Sequence, residues 1–179
     1  MIIRDLKWSD MNDLIDNYLS YYEELKENPD LGLVLYKSPP KYIDEVSWFS
    51  RLYSEVLKKD TIAVVAEENG KVVGMCDIHR LRPNSELSHI GNLGIAIRKE
   101  YRGKGIGKKL ILKALEEGKN LFEIIQLEVF SNNKIAISLY EKVGFIKYGI
   151  FPNKIKRKDK YYDVILMYYK YTENSNFKK

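Results

Sequence analysis

A glycine-rich turn between an apolar run and an amphipathic run constrains this chain more than any other feature. Residues 102–107 read Arg-Gly-Lys-Gly-Ile-Gly; they follow an apolar run at 93–97 and precede a segment, 107–118, with apolar residues at helical spacing. Glycines let a backbone approach an anion closely, and the first N–H groups of a helix point at it. The pattern therefore predicts a strand, a phosphate-binding turn and a helix.

Two common phosphate motifs do not fit this turn. A P-loop needs G-x-x-x-x-G-K-[ST], but position 102 is Arg and no Ser or Thr is placed to hold Mg²⁺. A dinucleotide fingerprint needs G-x-G-x-x-G and an acidic residue about 20 positions further on, which the glycines at 103, 105 and 107 do not provide. The remaining pattern is Arg102-x-x-Gly105-x-Gly107.

A second block, residues 129–145, reads VFSNNKIAISLYEKVGF. Together the two blocks resemble the GCN5-related N-acetyltransferases, whose segments are [RQ]-x-x-G-x-[GA] and V-x-x-x-N-x-x-A-x-x-L-Y-x-x-x-G-F, and the second is matched at every specified position. The resemblance extends more loosely from the strand-like run at residues 2–6 to that at 161–167.

The resemblance implies an α/β (α+β) fold for residues 1–171. We expect one domain with a central mixed, mostly antiparallel sheet of about seven strands, about four flanking helices and a splayed central strand pair. The residue pattern agrees, since Asn69-Gly70 predicts a hairpin and 42–58 has helical apolar spacing. Gly91 and Gly94 predict a bulge or a close backbone approach by a ligand. Residues 172–179 are expected to form a flexible tail.

The resemblance also implies that acetyl-coenzyme A is the co-substrate, with no metal. The glycine loop would cradle the pyrophosphate, Arg102 and Lys104 would add charge, and the strand before the loop would bind the pantetheine arm. Asn133 corresponds to a family asparagine near that arm and is also a natural helix cap. The complete expected binding set is Ile95, Ala96, Ile97, Arg102, Gly103, Lys104, Gly105, Ile106, Gly107, Lys108, Asn133 and Tyr140.

Direct attack of an amine on the thioester needs a neutral nitrogen and a proton for the departing thiolate. Tyr140 corresponds to the family tyrosine that protonates the thiolate, and a phenol donates without first carrying a charge. Family members often place an acidic residue on the strand before the loop, whereas this chain has Asn92. His89 is the candidate base because its intrinsic pKa range suits proton acceptance. A core tyrosine and a structural histidine are the competing interpretations.

The predicted function is therefore N-acetyl transfer to a primary amine, either a small molecule or a protein amino group. The alternative is a non-catalytic acyl-coenzyme A sensor, which Asn92 favours and Tyr140 opposes. A nucleic-acid-binding module using the basic stretch 154–160 ranks last, because that stretch is typical of a solvated hairpin tip. The net charge of +5 does not decide between these classes.

The amino-acid composition indicates the cellular compartment in which we expect this protein. The single cysteine, Cys76, cannot form an internal disulfide and lies in an apolar run, which indicates a packing residue. No stretch approaches the roughly 18 apolar residues of a membrane span, and the charged start lacks a signal core. We expect a cytoplasmic protein without membrane partners, for which a homodimer is compatible with the sequence.

Overall fold

The computed structural model describes residues 1–171, and these contain seven strands. The strands are β1 (Ile2–Asp5), β2 (Thr61–Glu68), β3 (Lys71–Arg80), β4 (Ile90–Ile97), β5 (Ile124–Phe130), β6 (Ile146–Arg157) and β7 (Lys160–Lys170). They form one sheet in the order β1-β2-β3-β4-β5-β7-β6. Every neighbouring pair in this described sheet is antiparallel except β4–β5. The predicted tail, 172–179, lies outside the described residues.

The parallel β4–β5 pair is splayed. Only residues 90–92 of β4 pair with residues 124–126 of β5, whereas β4 pairs with β3 from Gly91 to Ile97 and β5 pairs with β7 along its whole length. The two strands therefore separate towards their carboxyl ends, and a gap opens in the middle of the sheet. The predicted fold class, including its splayed central pair, is confirmed.

Four α-helices cover the sheet: α1 (Met11–Glu27), α2 (Tyr42–Leu57), α3 (Ile106–Gly118) and α4 (Lys134–Val143). Successive side chains of a strand point to opposite faces, so β2 contributes side chains to two hydrophobic cores. Val64 and Ala66 pack in a cluster with residues of α3 and α4, whereas Ala63 and Val65 pack with residues of α1 and α2. The sheet thus has an α3/α4 face and an α1/α2 face. Cys76 is fully buried in the first cluster, as predicted.

Gly91 of β4 is required by the packing around it. The β3–β4 register is continuous from Gly74 opposite Ile97 to Arg80 opposite Gly91, so the predicted bulge is absent from this described strand pair. A Cβ on Gly91 would lie 2.5 Å from a methyl carbon of Ile78. The neighbouring core therefore requires glycine there.

The basic stretch 154–160 differs from its prediction. β6 continues to Arg157, so only residues 158 and 159 form the turn before β7. The Arg157 guanidinium is half-buried and donates hydrogen bonds to the carbonyls of Pro29, Leu31 and Leu33. This side chain ties the α1–α2 connection to the β6–β7 hairpin, and it is not a solvated hairpin-tip residue.

Candidate active site

The glycine loop opens onto solvent at the start of α3. Gly103 and Gly105 have φ values of 74° and 76°, and a Cβ on either would meet no heavy atom within 4 Å. Positive φ explains glycine at both positions. Gly105 is the N-cap of α3 and provides no capping side chain, so the first N–H groups of the helix face the loop. These groups and the helix dipole have the geometry that an anion site requires.

The next two loop residues have a different role. Ile106 and Gly107 are buried beneath the loop. A Cβ on Gly107 would lie 3.0 Å from a methyl carbon of Leu139 in α4 and 3.5 Å from one of Ile97. Gly107 is therefore small because α3, α4 and β4 meet there, and only the main chain of these two residues faces the loop.

Arg102 does not extend towards the loop as an unpaired cation. Its Nε donates to the carbonyl of Ile97 at 2.7 Å, and its two Nη atoms form ion-paired hydrogen bonds of 2.5 and 2.8 Å with Glu24 in α1. The Glu24 side chain is only 6% exposed. All three nitrogen groups of the guanidinium are engaged within the fold. The side chain thus clamps α1 to the loop, and a phosphate contact of Arg102 stays a prediction.

Lys104 and Lys108 supply positive charge at the loop instead. Both are exposed, and neither forms an ion pair with any residue from 1 to 171. The Lys104 ammonium lies 5.2 Å from the centre of the Tyr101 ring. Flexible lysines can move to a phosphate as point charges, whereas a guanidinium fixed in a bidentate pair cannot.

The main-chain hydrogen-bonding groups of β4 point alternately towards β3 and towards the gap. Arg98 N–H donates to Val73 in β3, and Leu81 N–H donates to Ile90, at 2.9 and 2.8 Å. Hydrogen-bonded pairs alternate along an antiparallel ladder, so the even-numbered residues of β4 bond to β3 and the odd-numbered ones face the gap. Ile95 therefore presents both main-chain groups to the gap. Ile97 presents its N–H only, because its carbonyl accepts from the loop arginine.

Ala96 was predicted within the same binding run, and the ladder assigns it elsewhere. It lies opposite Met75, at an even-numbered position whose main-chain groups pair with β3. A contact of Ala96 with the pantetheine arm stays a prediction, and the ladder leaves its main-chain groups paired with β3. The main-chain N–H groups of Ile95 and Ile97, on either side of Ala96, face the gap.

Tyr140 lies in the buried cluster that spans the gap. That cluster includes Cys76 of β3, Leu93 of β4 and Val129 of β5. The phenol ring is 6% exposed and contacts Phe145 edge-on. Burial raises the pKa of Tyr140 well above its ordinary value, with a smaller contribution from Cys76. The side chain therefore stays protonated at neutral pH and keeps a proton next to the gap.

Asn133 is the N-cap of α4. Its Oδ1 accepts the N–H of Ala136 at 3.1 Å, which confirms the capping role that the sequence suggested. Its Nδ2 faces Gly32 in the α1–α2 connection, where a Cβ would lie only 2.5 Å from that nitrogen. The cap occupies one amide oxygen, and a contact of Asn133 with the pantetheine arm stays a prediction.

A cavity of about 420 Å³ opens on the α1/α2 face of the sheet, beside the gap. The lining residues come from α2, the end of β3 and β4: Trp48, Arg51, Leu52, Glu55, His79, Arg80, Leu81 and Asn92. Its polar groups include both charge signs. This volume lies in the range of small-molecule sites.

His79 is the best-connected polar side chain of this cavity. Its Nε2 lies 2.6 Å from Asp77, and its Nδ1 lies 2.9 Å from the Thr61 hydroxyl and 3.2 Å from Glu55. Burial lowers the pKa of His79, but the two carboxylates outweigh it, and the net pKa is raised above 6.5. Sequence reasoning missed this cluster because its members are far apart in the chain. The sequence signal was alternation, since residues 77 and 79 share one face of a strand.

His89 lies elsewhere. It immediately precedes β4, its carbonyl accepts the N–H of Glu123 at 2.9 Å, and it does not line the cavity. It lies six positions before Ile95, a separation of roughly 20 Å along an extended strand. The extended strand thus keeps His89 away from the glycine loop, and a catalytic role for His89 stays a prediction.

None of the helices within residues 1–171 combines the length and the apolar character that a membrane crossing requires. No group of three or more His, Cys, Asp or Glu side chains in that part of the chain is arranged to hold a metal ion.

Known proteins share both the sequence pattern and this architecture. A model of the acetyltransferase (GNAT) family matches residues 17–145. The L-amino acid N-acetyltransferase AaaT of Escherichia coli (strain K12) is 28% identical over 67% of this chain and 73% of its own length. YwnH of Bacillus subtilis (strain 168), which carries the name of a phosphinothricin acetyltransferase, is 29% identical over 69% of this chain and 74% of its own length.

Coverage of other relatives is lower. Two further proteins named N-acetyltransferases are matched over 59% and 63% of their own lengths. Among solved structures, the acetyltransferase YncA of Salmonella typhimurium, determined with acetyl-coenzyme A, has a TM-score of 0.82 at 18% identity. The likeness covers 98% of this chain and 96% of that one. At this identity it shows the fold.

Proposed function

This chain belongs to the GNAT family of acetyltransferases, and on that basis we propose that it is an N-acetyltransferase. It transfers the acetyl group of acetyl-coenzyme A to a primary amine by direct attack in a ternary complex. The observation that supports this most strongly is the splayed gap. It runs from the glycine loop to Tyr140, and a cavity opens beside it on the other face of the sheet.

The chain's own groups fit the parts of the co-substrate. The free N–H groups at Gly103, Gly105 and the first turn of α3 bind the diphosphate, with Lys104 and Lys108 as mobile counter-charges. The pantetheine arm has two amides, and these pair with the exposed main-chain groups of β4 as an added strand would. The thioester is then held against the gap between β4 and β5.

Acetyl transfer proceeds by nucleophilic attack, loss of the thiolate and two proton transfers. The acceptor nitrogen, after losing a proton, donates its lone pair to the thioester carbon. Main-chain N–H groups that face the gap, such as that of Ile95, stabilise the oxyanion, because fixed dipoles need no reorganisation. The C–S bond then breaks, and the thiolate takes the proton of Tyr140. The protonated amide nitrogen loses its remaining extra proton, which restores the tyrosine.

We propose a small acceptor that carries an anionic group. Arg51 lines the cavity, is exposed, and forms no ion pair with any residue from 1 to 171. Glu55 on the same helix lines the cavity too, so α2 offers one partner for an anion and one for an ammonium group. An amino acid carries both groups. The names of two relatives, an L-amino acid and a phosphinothricin acetyltransferase, agree with this acceptor class.

The test is thiol release from acetyl-coenzyme A over a panel of matched amines. The panel compares L-amino acids with their amides and esters, a polyamine and a peptide with a free N-terminus. Turnover should be highest with the amino acids, and Arg51→Gln should raise their KM at least tenfold while leaving the KM of the amides nearly unchanged. Coenzyme A binding without turnover on any acceptor would contradict the enzymatic function and favour a sensor.

We propose that residues 1–171 fold as one domain, supported by their single continuous sheet. We propose a cytoplasmic location, since acetyl-coenzyme A is an intracellular metabolite. A homodimer is also proposed; the edge strand β6 leaves Ile146, Tyr148 and Ile150 more than half exposed, and sedimentation equilibrium would measure the mass.

A further inference from the structure

Asn92 creates a chemical problem for the proposed reaction. An acceptor amine is mostly protonated at neutral pH, so a group in the cavity must take its proton before the nitrogen can attack. Asn92 faces the cavity from β4, and an amide side chain has no useful basicity. The proton must therefore go to another residue of the same wall.

His79 lies directly beside that position. It is the β3 partner of Asn92 in the antiparallel ladder, and residues opposite each other in such a pair present their side chains on the same face. About 39% of the His79 side chain is exposed, on the cavity side. A proton acceptor on β3 can thus reach the part of the cavity that a basic side chain at position 92 of β4 would otherwise reach.

The partners of His79 define its hydrogen-bonding state. Asp77 lies 2.6 Å from Nε2, and its side chain is only 15% exposed. A neutral imidazole with Nε2–H donated to Asp77 carries its lone pair on Nδ1. Glu55 at 3.2 Å from Nδ1 stabilises the imidazolium that forms when this nitrogen gains a proton. The Thr61 hydroxyl, 2.9 Å from Nδ1, can donate to the same Glu55 oxygen at 3.2 Å.

Gly94 makes room for this arrangement. It lies opposite Asp77 in the β3–β4 ladder, and a Cβ there would lie 2.7 Å from Asp77 Oδ1. Any larger residue at 94 would displace the carboxylate that holds the histidine. The space beside Gly94, where the sequence suggested a close approach, is thus filled by the side chain of Asp77 on the neighbouring strand.

We propose that His79 is the base that removes the acceptor's proton, with Asp77 as a positioning residue on Nε2 and Glu55 as the stabilising carboxylate on Nδ1. The N–H bond of the acceptor ammonium breaks, its electron pair stays on nitrogen, and the proton is bound at Nδ1. The inference rests on the proposed acetyltransferase function. It assigns the acceptor side of that reaction to a cluster built from β3 and α2.

Other charges near the cluster do not compete for this role. Arg80 lines the cavity, but its guanidinium is bonded to Asp60 and to main-chain carbonyls. Arg51 is a permanent cation at neutral pH. Within residues 1–171, His79 and Glu55 are thus the cavity-lining groups that can accept a proton, and they are in contact with each other.

The decisive experiment is the pH dependence of kcat at saturating acceptor and acetyl-coenzyme A, because kcat reports groups in the ternary complex. The wild type should lose activity on the acid side, with a midpoint above the ordinary pKa of histidine. His79→Gln should lower kcat by about 100-fold or more and abolish that limb. Asp77→Asn keeps the shape of its side chain and should move the limb to lower pH, because a carboxylate that favours the imidazolium is removed.

A rescue variant separates chemistry from structure. Asn92→Asp in the His79→Gln background supplies a carboxylate at the adjacent position and should raise kcat at least tenfold over the single variant. His89→Gln is the control at the only other histidine of the sequence, and it should keep the acid limb of the kcat profile. Coenzyme A affinity and Tm of each variant show whether the fold is kept.

The outcomes are distinguishable. A wild-type protein that binds coenzyme A but acetylates no amine would defeat the proposed function itself. An active wild type with a His79→Gln variant that keeps the acid limb would overturn the role of His79 alone. Loss of the limb in His89→Gln instead would overturn it as well.

Discussion

Replacing Arg102 by methionine separates two roles that the sequence could not distinguish, a phosphate contact and a clamp between α1 and the glycine loop. Methionine keeps most of the apolar volume but removes the three hydrogen bonds to Glu24 and to the Ile97 carbonyl. The Glu24 side chain, 6% exposed, would be left as a buried carboxylate without its partner. Such a loss is strongly destabilising when the pair is fully buried.

The expected magnitude follows from burial. Breaking a fully buried pair costs about 3–5 kcal/mol. The Arg102 side chain is 35% exposed, so solvent partly compensates, and we expect a loss of about 2–3 kcal/mol in the free energy of unfolding. In a chain of this size that corresponds to a Tm decrease of roughly 5–10 °C. Glu24→Leu should cost a similar amount, and the double variant should cost less than the sum.

The assay is urea unfolding of the four proteins of this double-mutant cycle, with coenzyme A titrations alongside. Lys99→Gln is the matched control, because it breaks the Lys99–Glu27 pair, which joins the same two segments at 2.7 Å but is 59% and 71% exposed. That change should cost under about 1 kcal/mol. If Arg102→Met left stability unchanged but weakened coenzyme A binding, while Glu24→Leu did not, the clamp would be refuted and the phosphate contact supported.

Three further changes test the loop, the acid and the hairpin. Gly105→Ala should destabilise by about 1–2 kcal/mol through its positive φ, and calorimetry should show a greater loss of coenzyme A affinity than for Lys104→Ala; the reverse order would contradict the backbone cradle. Tyr140→Phe should lower kcat by about 100-fold with little change in coenzyme A affinity, whereas Tyr148→Phe, on the exposed edge strand, should leave both unchanged in steady-state assays. Arg157→Ala removes three hydrogen bonds to carbonyls, and limited proteolysis should show faster cleavage of the α1–α2 connection.

Several elements were predictable because their causes are local. The positive φ at Gly103 and Gly105 favours a residue without a Cβ, so the sequence identified the turn before α3 directly. The Asn133 cap and the amphipathic spacing of α4 are likewise properties of neighbouring residues. The fold class followed from these segments together with the family pattern. Each of these inferences needs only interactions within one or two turns of chain.

The orientation of charged side chains was not predictable in this way. Arg102 is adjacent to the loop in sequence, but its partner Glu24 lies 78 positions away, and that ion pair decides where the guanidinium points. Likewise, His79 and His89 are equivalent choices in a linear chain. Only the α2 helix, which brings Glu55 over β3, gives the first of them two carboxylate partners.

The sequence by itself thus determined the backbone features of this protein: the glycine turn, the caps, the strand and helix order and the family. Tertiary structure alone decided which strand edges face the gap, which cation is held inside the fold and which histidine faces the cavity. The physical reason is that backbone conformation depends mainly on adjacent residues. Ion pairs, burial and pKa shifts depend on groups that only the folded sheet brings together.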